Sequence, residues 1–76
     1  MDWNEVVAGN VRMLRGKCGL TQEQLAHECG LDLTYVGGIE RGRRNPSVKV
    51  LGKLAEALNV DPAVLLRSSG DTGPAG

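Results

Sequence analysis

Residues Gln22 to Ser47 read QEQLAHECGLDLTYVGGIERGRRNPS, and their capping residues predict two short helices set across a tight turn. Thr21 and Gln24 form a T-x-x-Q capping box: the hydroxyl accepts from the third helical N–H and the Gln reaches back to the cap. The helix it opens, Gln22 to Cys29, turns Leu25, Ala26 and Cys29 inward, and Gly30 stops it in the left-handed conformation. Asp32 caps the next helix, Leu33 to about Arg41, which Gly42 ends. Val36 and Ile39 face the core at i, i+3. Thr34, Gly37, Gly38 and Arg41 share the opposite face, with Leu33 and Tyr35 at its edges. Two helices of this length joined through Gly30, Leu31 and Asp32 must cross at a steep angle. Leu31 plugs that angle, and the small Ala26 lets the two backbones approach.

The flanking residues continue the helical pattern. Asp2 with Glu5 reads as a D-x-x-E capping box opening a first helix to about Lys17, with Val7, Val11 and Leu14 as its apolar stripe. Trp3 is expected to pack this helix onto the bundle. Ser47, after Pro46, caps a fourth helix whose stripe is Val50 or Leu51, then Leu54, Ala55 and Leu58. Asp61 followed by Pro62 starts a short fifth helix near Val64 and Leu65, ending by Arg67. No run alternates as a strand does. The expectation is an all-α protein, a compact five-helix bundle over residues 1–67, with a disordered tail over 68–76 that has no large apolar side chain.

Composition narrows the function. Seventy-six residues, 41% of them hydrophobic, make one small domain, and one Trp, one Tyr and no Phe make its core aliphatic. No apolar stretch approaches a membrane span, and the N-terminus lacks the pattern of a signal peptide, so a cytoplasmic location is expected. Cys18 and Cys29 are too few and too far apart for a zinc site, and the single His27 has no ligand partner at helical spacing. There is no nucleophile–base constellation and no phosphate-cradling glycine loop, so neither catalysis nor a metal or other cofactor is expected. Nine basic residues balance nine acidic ones, yet Arg41 to Lys53 holds five basic residues and no acid. A net charge of zero does not advertise a nucleic-acid binder, but this distribution says more than the sum.

The quoted stretch resembles the phage-repressor-like helix-turn-helix family of bacterial DNA-binding regulators. Its members typically carry a Gln opening helix two, then Leu-Ala and Gly, a Tyr-x-x-x-Ile-Glu-x-Gly segment, and Asn-Pro before helix four. Here these are Gln22, Leu25-Ala26, Gly30, Tyr35, Ile39-Glu40, Gly42 and Asn45-Pro46. Arg12, Arg15 and the segment LAEALNVDPAVLL also match, so the resemblance covers about residues 4 to 66. The run LDLTYVGGIERGRRNPS is further similar to controller proteins of restriction–modification systems.

What the resemblance implies is a lambda-repressor-like domain that binds operator DNA as a two-fold homodimer, helix three in the major groove and helix two across the backbone. On helix three, Leu33 and the Thr34 methyl suit a thymine methyl, and Thr34 offers its hydroxyl to a base or phosphate. Tyr35 borders this face. Gly37 and Gly38 depart from the family, whose members often carry longer base-reading side chains there, though a glycine at the second position also occurs in controller proteins. They are expected to let DNA approach the helix backbone, at about 1 kcal/mol each in helix propensity. Arg41, Arg43, Arg44 and Asn45 form a loop that in related proteins follows the phosphates and in some members reaches a base, since an Arg fork matches phosphate and guanine edges alike. Thr21 and Gln22 are expected to hold a phosphate at the start of helix two. Glu40 is implied to pair with Arg15 on helix one, a structural role.

Val60, Val64, Leu65 and Leu66 crowd a short terminal helix that can turn only some of them inward. Val64 or Leu65 is expected to stay exposed and, with Val60, to form the dimer contact. A second reading is a protein-interaction module, antitoxin-like or an adaptor, that keeps the helix-turn-helix fold.

Overall fold

The structure, a computed structural model, describes residues 2–68. The tail call therefore falls, from residue 69 onward, outside the described residues. Four α-helices follow in order: α1 Trp3–Lys17, α2 Gln22–Cys29, α3 Leu33–Glu40 and α4 Val48–Leu58. A 3-10 helix, Pro62–Leu66, ends the fold, and no strand occurs among the described residues.

Local chemistry sets each boundary. The Thr21 hydroxyl accepts the Gln24 N–H at 3.0 Å and Gln24 Oε1 accepts the Thr21 N–H at 2.8 Å, closing the capping box. Gly30 takes φ +67° at the end of α2, a conformation that costs a glycine little. Asp32 accepts from Thr34, Ser47 from Val50 and Asp61 from Ala63. The α1 box does not close. Asp2 accepts from Asn4 instead, and the Glu5 carboxylate lies against the backbone of Gly42, where an added Cβ would meet its Oε2 at 2.7 Å.

The buried core joins Val7, Val11 and Leu14 of α1 to Leu25, Ala26 and Cys29 of α2. Val36 and Ile39 of α3, Leu54, Ala55 and Leu58 of α4, and Leu65 complete it. Leu31 packs against its edge from the turn. Helix α1 packs on α3 and the 3-10 helix, and α2 packs on α3 and α4. The α2–α3 pair is therefore backed by α1 on one side and α4 on the other.

Two sequence expectations need correction. The fifth element is a 3-10 helix, not an α-helix, and with three residues per turn it buries Leu65 completely and leaves Leu66 43% exposed. The buried Asn10 of α1 fixes this arrangement, its side-chain amide donating to the carbonyls of Leu65 and Arg67, both at 2.8 Å. Leu65 is thus core and not a free surface group. Trp3 does not pack the bundle either: it is 55% exposed, because the interior face of α1 is filled by Val7, Ala8 and Val11.

Candidate nucleic-acid interface

Helix α3 is held by one acidic residue. Glu40 is 2% exposed, and Arg15 Nε meets its Oε2 at 2.7 Å while Arg15 Nη2 meets Oε1 at 3.1 Å. Gln22 donates its side-chain amide to the same Oε1 at 2.9 Å. Arg12 donates to the Glu40 carbonyl, and Arg15 Nη1 donates to the Leu20 carbonyl at 2.9 Å. Three elements, α1, α2 and α3, therefore converge on one carboxylate. The Glu40 hydrogen bond raises the Arg15 pKa above its ordinary value, partly offset by burial, so the guanidinium keeps its charge. It is the only ion pair among the described residues. The acid on α3 is neutralised internally, and Arg41, Arg43 and Arg44 meet no described carboxylate.

That leaves a basic, solvent-facing edge. Leu33, Thr34, Arg41, Arg43, Arg44 and Asn45 are exposed, and Tyr35 is half-buried. The loop is shaped by Gly42 at φ +74°, whose N–H bonds the Ile39 carbonyl, and by the Gly38 carbonyl, which accepts from Arg43 N at 2.9 Å and Arg44 N at 3.2 Å. The Arg44 guanidinium lies over the Tyr35 ring, 5.9 Å from its centroid.

Two of the expected contact residues lie elsewhere than the sequence suggests. Gly37 and Gly38 are buried, so in this state neither opens the α3 backbone to an approaching duplex. An added Cβ at Gly37 would sit 3.1 Å from Arg41 Nη1, and one at Gly38 would sit 2.5 Å from Arg44 Cγ. The arginines that follow α3 fold back over its two glycines. Gln22 donates one of its two amide N–H groups to Glu40, so the other stays available for a phosphate at that corner beside the backbone N–H groups of the first turn of α2. Thr21 is exposed and already caps. Val60 and Val64 are half-buried against the core. Among the described residues, Trp3, Met13, Leu33, Val48 and Leu66 are the exposed large apolar side chains.

The sequence reading did not find the roles of Gln22 toward Glu40, of Glu5 at Gly42, or of Asn10. Only Asn10 carried a usable signal: a short amide side chain between Val7 and Leu14, on the inner side of an amphipathic helix, implies a buried partner. Cys18 is exposed and Cys29 buried, both as free thiols, and burial raises the Cys29 pKa. Among the described residues no three metal-ligating side chains cluster, and no helix is long and apolar enough to cross a membrane.

Comparison with known proteins agrees with this geometry. A family model described as helix-turn-helix matches residues 11–65. The control protein C.SmaI of Serratia marcescens is 46% identical over 70 residues, covering 92% of this chain and 83% of its own length. Among solved structures, a hypothetical transcription factor from Neisseria superposes with a TM-score of 0.89 at 41% identity, over 92% of this chain and 80% of that one. The restriction–modification controller protein C.AhdI of Aeromonas hydrophila superposes with a TM-score of 0.79 at 47% identity, over 82% of this chain and 94% of that one.

Proposed function

Since the chain belongs to the helix-turn-helix family and is a DNA-binding transcriptional regulator, not an enzyme, we propose that it binds operator DNA as a homodimer, with α3 in the major groove. Control and controller proteins are among the proteins it resembles, and a controller role within a restriction–modification system is part of the proposal. One observation carries the mode of binding. Arg41, Arg43 and Arg44 stand unpaired by any described carboxylate on the edge that closes α3, beside exposed Leu33 and Thr34.

In this reading Arg41, Arg43 and Asn45 meet phosphates, and so does the first turn of α2 at Thr21 and Gln22. Leu33 and Thr34 touch base edges, and Tyr35 lines the groove wall. The Arg15–Glu40 pair makes no DNA contact and keeps α3 at a fixed height above the bundle.

A single α3 reads only a few base pairs, so a second copy is needed for a full operator. The dimer surface is assigned to Val60 and Val64, half-buried, with Leu66 taking the exposed place expected of Leu65. Two α3 helices would then lie about 34–36 Å apart, one turn of duplex. Hydroxyl-radical footprinting on the DNA upstream of the chain's own gene, paired with sedimentation of the free protein, tests this. Two protected half-sites one turn apart, with a sedimenting dimer, are the expected result. A single protected patch with a monomer at tens of micromolar would refute the dimer, and no protection on any duplex would refute the DNA reading.

A further inference from the structure

Gly38 is the point where the loop after α3 is tied to the helix, and three observations meet there. Its carbonyl accepts both the Arg43 and Arg44 N–H groups, turning the loop backbone onto the last turn of α3. Its missing side chain is replaced by another residue's: a Cβ at position 38 would lie 2.5 Å from Arg44 Cγ, 3.5 Å from its Cβ and 3.6 Å from its Cδ. Tyr35, one helical turn earlier, takes the guanidinium over its ring at 5.9 Å. The aliphatic stem of Arg44 thus fills the volume that a side chain at 38 would claim, and its head is delivered to the α3 surface.

This arrangement has a cost that a plain phosphate contact would not require. A phosphate is met by a mobile charge, and a flexible Lys or Arg serves. A planar fork whose stem is seated on the helix and whose head lies over an aromatic ring gains where the target is itself an oriented pair of acceptors, because less freedom is lost on binding. In the major groove the base edge with that geometry is guanine, through O6 and N7.

We propose that Gly38 is a specificity-determining position that acts through Arg44, holding the guanidinium against Tyr35 in the orientation that reads a guanine edge. Gly38 touches no base; it is a positioning residue. The proposal rests on the DNA-binding reading above and deepens it.

The test is a double-mutant cycle on the full chain, comparing parent, Gly38→Ala, Arg44→Ala and the double variant. Each is put through selection from a duplex pool with randomised half-sites, then titrated on the selected duplex and its single base-pair variants. The expected result has three parts. Arg44→Ala loses preference for one G·C pair by about tenfold or more. Gly38→Ala loses the same preference while keeping its thermal midpoint and its affinity for random duplex. The double variant loses no more than either single one.

A Gly38→Ala protein that keeps the preference, or losses that add in the double variant, would overturn the proposal. So would a uniform loss over all sequences in Arg44→Ala, which marks a phosphate contact. If Gly38→Ala does not fold, Tyr35→Leu takes its place: it removes the ring beneath the guanidinium, leaves the seat, and should lose the same G·C preference over and above whatever affinity it loses on random duplex. Retained preference in Tyr35→Leu would count against the proposal equally. A parent chain with no affinity for any duplex would instead overturn the DNA-binding reading, and this proposal with it.

Discussion

Glu40 shows how much one side chain can decide. It is an acid at the end of a helix assigned to DNA, yet it is almost fully buried and bonded by Arg15 and Gln22. Removing it strands a guanidinium that is largely out of water, so Glu40→Ala should cost about 3 kcal/mol or more. A urea titration monitored by circular dichroism measures this directly. A loss below about 1 kcal/mol, the size expected of an exposed pair, would show that α3 is held by packing alone. Cys29 gives a second prediction at this scale. Burial raises its thiol pKa in the folded chain above the unfolded value of about 8.5. Between the two values the folded state binds the proton more strongly, so stability is level below the unfolded pKa and falls as pH rises through the window. Cys29→Ala should flatten that alkaline slope. An unchanged slope would place its origin in another group. Of these roles the pairing of Glu40 with Arg15 came only from the family resemblance, because residues 25 positions apart share no local pattern. Gln22 was readable as a helix opener but not as a ligand of Glu40, since a side-chain rotamer leaves no trace in spacing.

At the scale of elements, the helix boundaries were legible because capping is local chemistry. Thr21 with Gln24, Gly30, Asp32, Ser47 and Asp61 all mark the ends that the structure shows. The amphipathic stripes likewise named the core residues of α1 to α4. The reading failed where the period changed. A five-residue segment after Asp61-Pro62 contains too little sequence to tell 3.6 residues per turn from three, and that difference decides which of Val64, Leu65 and Leu66 points inward. The consequence is testable by a matched pair. Leu65→Glu places a charge in the core and should unfold the chain, whereas Leu66→Glu should leave the thermal midpoint nearly unchanged and weaken self-association. Equal behaviour of the two in a melt would contradict the 3-10 geometry. The segment is also tied down from outside: Asn10→Ala removes the donor from two carbonyls and should destabilise the fold by about 1–3 kcal/mol. A melt identical to the parent's would mean that water replaces the amide at no cost.

For the whole molecule, a net charge of zero hides a division of labour. Asp2, Glu5, Glu23, Asp32 and Asp61 sit at helix starts, where caps and dipoles use them, and the one acid on α3 is consumed inside the fold. The arginines after α3 are left to act outward. The central claim is that this edge binds the DNA backbone, and the salt dependence of duplex affinity tests it most directly. For the parent chain, log affinity should fall linearly with log salt, with a slope of about −0.9 per phosphate neutralised. Replacing both Arg43 and Arg44 with Ala should make that slope shallower, by about one for each arginine that meets a phosphate. A parent affinity insensitive to salt, or a double variant with the parent's slope and affinity, would contradict the account.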